Sequence, residues 1–176
     1  IRSNRAIVDA SLNLFEAAKQ NKAKRIVQAS SSSIYGNSKE LPKVETMPIN
    51  PLSPYATAKF AQENYGKTFS QLYNMEIVSL RYFNVFGPRQ DPFSEYSAVI
   101  PKFIELIMAN KQPVIYGDGE TSRDFTYIDN VVSANLKAMH SQKIKGSEVL
   151  NIACGERFTL KQLVQILFDI AGKEIH

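Results

Sequence analysis

The alternation of short apolar strands with longer amphipathic helices constrains this chain more than any other feature. Arg25 to Ala29, Glu76 to Tyr82 and Glu148 to Ala153 each read as a strand. Helical patterns cover 6–20, 54–74, 98–110, 129–141 and 159–171. Strands separated by helices of this length pair in parallel through helical crossovers, and the helices then cover both faces of the sheet. The first helix is expected to bury Ile7, Leu12, Leu14, Phe15 and Ala18. Ser53 caps the second, Pro54 occupies its first position, and Gly66 is an internal weak point. Asp129 and Thr159 are expected caps of the last two helices. Val114 to Tyr116 reads as a short strand closed by the turn Gly117-Asp118-Gly119. Residues 93–125 are less regular, as a lobe grafted onto the sheet would be.

Size and charge narrow the function. A chain of 176 residues, 44% hydrophobic, can bury the core of one domain with a small appendage. The net charge of +4 is scattered. Its densest cluster, Lys19, Lys22, Lys24 and Arg25, has no aromatic interleaving and reads as a solvated helix end, not a nucleic-acid footprint. A modest positive excess suits an anionic small substrate. Cys154 is the single cysteine, so no intrachain disulfide forms and a reducing, cytoplasmic setting is expected. The apolar stretch Val99 to Met108 carries Lys102 and Glu105, and no membrane span or signal pattern is expected. His140, His176 and Cys154 are too few and too dispersed for a metal site. The chain opens on Ile1 and enters a helical pattern at once, which suggests a piece of a longer protein.

In open parallel sheets, ligands sit beyond the carboxyl ends of the strands. Two segments occupy that position here: the serine run Ser30 to Ser33 and the stretch Tyr82 to Arg89. The helix that follows the serine run opens with Tyr55-Ala-Thr-Ala-Lys59, a spacing that puts both side chains on one helix face. A free tyrosine ionises near pH 10, too high for a base at neutrality, and a neighbouring ammonium favours the phenolate. Tyr55 could then take a hydroxyl proton. A serine hydroxyl at the strand end could stabilise the oxygen losing it. Taken singly, the pair could be two residues sharing a solvated face, and the serines a turn satisfying its own backbone. Together, in this order, they favour chemistry.

Five segments in order resemble the extended short-chain dehydrogenase/reductases, in particular the nucleotide-sugar epimerases and dehydratases. They are Leu14 to Ala18, Ala29 to Gly36, Pro51 to Lys59, Leu80 to Arg89 and Gly117 to Asp129. The resemblance runs through nearly all the chain. It implies an α/β fold made of the C-terminal part of a Rossmann-type, doubly wound parallel sheet, with a small mixed α/β substrate-binding lobe. Residues 1–92 and 126–158 would form the partial Rossmann-type domain, and 93–125 with 159–176 the lobe. Tyr55 and Lys59 match the catalytic tyrosine and lysine, and Ser31 matches the catalytic serine, counted back from Tyr35-Gly36.

The roles implied are those of C4 epimerisation of a UDP-sugar. Tyr55 removes the 4-hydroxyl proton while hydride passes to the nicotinamide of NAD; the keto sugar turns over and hydride returns to its other face. Lys59 holds the nicotinamide ribose, and Ser30 and Tyr82 line the cofactor pocket. Ser31 and Ser32 lie against the sugar, and Asn84 binds near the phosphates. Arg123 clamps the pyrophosphate as a fork of paired donors can, Arg89 supports it, and Tyr116 packs on the base. A plain Arg123–Asp124 surface ion pair is the bland alternative. Dehydratases and decarboxylases of the family carry an acid after the catalytic serine; Ser32 and Ser33 stand there instead, so simple epimerisation fits. The motifs look most like UDP-N-acetylglucosamine 4-epimerases, with UDP-glucose 4-epimerases next and glucuronate epimerases further off. A homodimer through the Tyr55 helix is a family expectation.

Two departures matter. The eight glycines contain no Gly-x-x-Gly-x-x-Gly loop, so the N-terminal unit that would hold the cofactor pyrophosphate is absent from these residues. Ile7 and Ala10 replace an Asn and a Gly usual in the family. Gly66-Lys67-Thr68 is no phosphate loop, because Ala61 stands where its first glycine is required. The chain is therefore expected to be inactive alone. A cofactor-free module that binds a nucleotide sugar is the competing reading.

Overall fold

The computed structural model describes residues 2–93 and 99–173, leaving Ile1, Ala98 and His176 outside the described residues. In chain order, a π-helical run Asn4–Asp9 leads into α1 (Ala10–Gln20), β1 (Arg25–Ser31) and a 3₁₀ turn Ser32–Tyr35. Then come α2 (Pro54–Tyr73), β2 (Glu76–Tyr82), β3 (Asn84–Phe86) and α3 (Val99–Met108). The chain continues through β4 (Ser122–Arg123), β5 (Phe125–Tyr127), α4 (Ile128–His140), β6 (Ser147–Ile152), β7 (Phe158–Thr159) and α5 (Leu160–Ala171). They group into two compact units, Ile1–Phe83 with Val131–Ile152 and Asn84–Asn130 with Ala153–His176. The breaks fall earlier than the 92 and 158 boundaries read from the sequence, and later than 125.

The first unit is built on a parallel sheet of order β1-β2-β6. Side chains of β2 alternate between its two faces, as a period of two requires. Val78 and Leu80 pack with Ala138 of α4 and Ile144. On the other face Ile77 packs with Phe15 of α1 and Met75. Helices thus cover both faces, as the alternation of patterns predicts. Register then places Gln28 beside Ser79 and Ser30 beside Arg81. This puts a polar row on the face that carries α2, and Gln28 donates to the Ser79 hydroxyl at 2.8 Å.

The second unit contains two small two-stranded sheets, β3 with β5 in parallel and β4 with β7 antiparallel. Its core is Ile100, Phe103 and Ile107 of α3 against Leu163, Val164 and Phe168 of α5. Thr159 begins α5 with reciprocal bonds: its hydroxyl accepts from Gln162 N–H at 3.1 Å, and Gln162 Oε1 accepts from Thr159 N–H at 2.8 Å. Both bonds satisfy donors a helix start leaves open. Thr159→Ala is expected to lower stability by about 1 kcal/mol, read as a fall in the urea midpoint at unchanged slope.

Several local expectations are corrected. Leu14 is exposed, and the buried side chains of the first helical stretch are Val8, Ser11 and Phe15. β1 runs two residues beyond Ala29, because Ser30 and Ser31 pair with Arg81 and Tyr82. Gly66 is no weak point: α2 is unbroken there, and a Cβ would meet Ile77 Cγ2 and Gln28 Nε2 at 3.0 Å. The glycine lets helix and sheet approach closely. Val114–Tyr116 forms no strand, being largely exposed with no strand paired to it. Asp129 lies inside the first turn of α4 and is not its cap.

Candidate active site

The first unit gathers the serine run, Tyr55, Lys59 and Tyr82. β1 carries Ser30 and Ser31 to the carboxyl edge of the sheet, and a 3₁₀ turn then folds the chain back through buried Ile34 and Tyr35. The strand alternation separates the two serines. Ser30 points toward α2, is buried, and gives its hydroxyl to Glu63. Ser31 accepts from Ser33 N–H at 3.2 Å, which leaves its own O–H free to donate. Ser32 is part-exposed. The Ser30 hydroxyl proton is thus committed to Glu63 inside the unit.

Ser53 caps α2 by accepting from Ala56 N–H at 3.1 Å, with Pro54 at the start. Tyr55 follows and is 44% exposed, so its hydroxyl is accessible. One turn on, the Lys59 ammonium donates to the Ala29 carbonyl at 2.7 Å and to Gln62 Oε1 at 3.3 Å. It lies 6.0 Å from the centre of the Tyr55 ring. Both acceptors are neutral, and one N–H remains to give. Burial lowers the Lys59 pKa from the usual lysine value, and the Glu63 carboxylate opposes that shift. Gln62 is itself held, donating to Ser11 at 2.9 Å. On β2, the Tyr82 hydroxyl accepts from the Asn135 amide at 2.8 Å.

A buried polar network lies directly behind these groups, and the sequence reading missed it. Arg81 Nε and Nη2 grip the two oxygens of Glu63 at 3.0 and 2.8 Å, with both side chains 5% exposed. Arg81 Nη1 donates to the Tyr35 hydroxyl at 2.8 Å, and Tyr35 donates to Asn151 on β6 at 2.7 Å. Burial by itself lowers the Arg81 pKa, but the bonds and charge of Glu63 more than offset it and the pKa is raised. A buried charge needs a partner, so an arginine in the apolar run of β2 was itself a signal. Glu63, one turn beyond Lys59 on the same helix face, was the partner to look for.

The second unit holds the remaining predicted residues. Asn84 donates to the Asp124 carbonyl at 3.0 Å. The Asp124 carboxylate accepts from Cys154 N–H at 3.0 Å and Gly155 N–H at 2.8 Å. Arg123 turns back to the Ser122 carbonyl at 3.0 Å. No Arg123–Asp124 ion pair forms, and the exposed guanidinium keeps most of its donors. Arg89 is exposed with φ +67°, and Tyr116 is 90% exposed. Among the described residues no helix is long and apolar enough to cross a membrane, and no three His, Cys, Asp or Glu gather as metal ligands.

Comparison with known proteins gives the family and the fold. Residues 3–153 match the model of the NAD dependent epimerase/dehydratase family. A UDP-glucose 4-epimerase of Mycolicibacterium smegmatis is 35% identical over 166 residues, 94% of this chain and 52% of that protein. The structure of a UDP-N-acetylglucosamine 4-epimerase from Methanobrevibacter ruminantium M1, in complex with UDP-N-acetylmuramic acid, superposes with a TM-score of 0.93 at 45% identity. That match covers 98% of this chain and 55% of the other. A UDP-glucuronic acid 4-epimerase from Bacillus cereus, solved with UDP-glucuronic acid and NAD, superposes with a TM-score of 0.84 at 34% identity, covering 93% and 51%. The chain thus spans about half the length of the relatives it matches, with their Rossmann-like α/β fold.

Proposed function

The chain belongs to the NAD-dependent epimerase/dehydratase family, and from that premise we propose that it is the catalytic and substrate-binding portion of a UDP-sugar 4-epimerase. The observation that carries this reading is the placement of Tyr55 and Lys59 on one face of α2, with Lys59 bonded to the strand that ends in Ser31. An accessible phenol, an ammonium with a donor to spare and a free serine O–H are a donor set suited to a ribose diol and a reacting sugar hydroxyl. They fit the nicotinamide-ribose end of NAD. The glycine spacing that would hold its pyrophosphate is not in these residues, so this reading assigns that group to a segment outside them. When bound, NAD would take up and return the C4 hydride.

The chain's own residues have the following roles. Tyr55 takes the proton from the sugar 4-hydroxyl and gives it back. Lys59 hydrogen-bonds the nicotinamide ribose and stabilises the phenolate through its charge. Ser31 donates to the sugar oxygen, Ser32 lies beside it, and Tyr82, held by Asn135, lines the nicotinamide pocket. Asn84, Arg89, Arg123 and Tyr116 hold the UDP portion. The serines at 32 and 33 supply no acid for elimination or decarboxylation, which favours simple epimerisation. UDP-glucose/UDP-galactose or their N-acetyl analogues are the substrates of this reading, with UDP-glucuronate the alternative. Dimerisation through α2 belongs to the same reading; Tyr65 stands partly exposed on that helix.

The test is the intact mass of the protein from its native source, with release of bound NAD and NMR detection of C4 inversion in the UDP-sugar. A mass above that of 176 residues, bound NAD and inversion are expected. The purified 176-residue chain alone is expected to show no turnover. A native protein of this length without NAD that still binds a UDP-sugar would favour the cofactor-free module, the reading that the missing glycine loop supports.

A further inference from the structure

The Glu63–Arg81 pair uses more side-chain chemistry than stability of one helix requires. Glu63 accepts from Arg81 through both oxygens and from Ser30. Arg81 passes on to Tyr35 and to the Glu45 carbonyl at 3.3 Å. Asn151 closes the network, its amide donating to the Lys43 carbonyl at 3.0 Å and its N–H to Glu45 Oε1 at 2.7 Å. All three strands of the sheet, the connection that leads into α2, and α2 itself meet in these bonds. A bidentate fork fixes distance and angle together, which a single bond between flexible chains does not. Glu63 lies eight residues from Tyr55 and four from Lys59, so the three side chains share one stripe of the helix.

We propose that Glu63 is a positioning residue: clamped by Arg81 and Ser30, it seats the helix stripe bearing Tyr55 and Lys59 against the end of β1. This rests on the epimerase reading for its catalytic consequence, but not for its effect on Lys59. The ammonium bonds to the Ala29 carbonyl, next to Ser30 in the chain, so a shift of Glu63 relative to Ser30 moves Lys59 on its acceptor. Among the charged groups, Glu63 lies one turn away on the same helix, and Arg81 stands behind it on β2. Loss of the carboxylate leaves the arginine charge without its counter-ion. Burial, which disfavours the charged lysine, is then no longer opposed.

The experiment compares wild type, Glu63→Gln and Arg81→Lys. Turnover is measured in the native-length, NAD-loaded protein, not in the isolated 176-residue chain, with UDP-glucose and UDP-N-acetylglucosamine. Lys59 titration is followed by NMR after reductive ¹³C-methylation, with folding checked by circular dichroism. Expected is a fall in kcat of at least tenfold in folded Glu63→Gln, with KM within twofold, and a lower Lys59 pKa. Arg81→Lys keeps the charge but loses the fork, and should show the same kcat-only defect at smaller size. It decides the matter if Glu63→Gln does not fold. A folded variant with wild-type kcat and an unmoved Lys59 would overturn the proposal. So would a defect confined to KM. An inactive wild type would sink the epimerase reading instead, and the Lys59 titration would then decide whether Glu63 sets that side chain.

Discussion

Tyr55→Phe, made in the NAD-loaded protein, is expected to lower kcat for C4 inversion by about 10³-fold, within the range for loss of a positioned general base. The ring is 44% exposed, and the substitution removes only its oxygen. Stability should therefore move by no more than about 0.5 kcal/mol, as for surface changes generally. That combination separates a lost proton acceptor from a damaged fold. KM is expected to change little, because the proposed contacts to UDP come from Asn84, Arg89, Tyr116 and Arg123. The check is steady-state kinetics by NMR of the two sugar epimers, alongside a thermal melt. A variant within tenfold of wild type would remove Tyr55 from the proposed mechanism and leave Ser31 and Lys59 to be reassigned.

Gly36→Ala is expected to be the most damaging small substitution in the first unit. Gly36 ends the turn that buries Ile34 and Tyr35, with φ +62° and ψ −135°. An L side chain there is strained at about 1–3 kcal/mol. A Cβ would also stand 2.1 Å from the Asn50 carbonyl oxygen, a backbone atom that cannot swing aside. Asn50 N–H is bonded to the Ile34 carbonyl at 2.9 Å, so moving it breaks the bond that ties the returning chain to the turn. The two costs together should exceed about 3 kcal/mol, seen as a lower urea midpoint at nearly constant slope. Because Tyr35 anchors Arg81, a folded remnant should also show the kinetic defect expected of Arg81→Lys. Wild-type stability in Gly36→Ala would show that the connection after the turn yields freely.

Much of the architecture could be read from the chain. β2 and α5 occupy the spans their patterns predict, and Thr159 caps α5 as its residue type suggests. Tyr55 and Lys59 were paired by spacing alone, because four residues on a helix always return to the same face. Helix and strand periodicity is set by local sterics and by which positions can be apolar, both of which a linear sequence carries.

What could not be read depends on which strand lies beside which, and in what register. Glu63 and Arg81 are 18 residues apart, and Ser30 and Glu63 are 33 apart; no local period connects them. The division of labour between Ser30 and Ser31 is of the same kind. Neighbouring strand residues face opposite sides, so four serines in a row leave the choice open. Pairing of Ser30 with Arg81 and of Ser31 with Tyr82 settles it: the first hydroxyl goes to the buried carboxylate, and the second keeps its proton to donate. The sequence determined the elements and the chemical groups available, through sterics and hydrophobic pattern. Only the packed sheet decided which groups are spent on holding α2 and which remain accessible, because a buried charge takes the nearest donors that register provides.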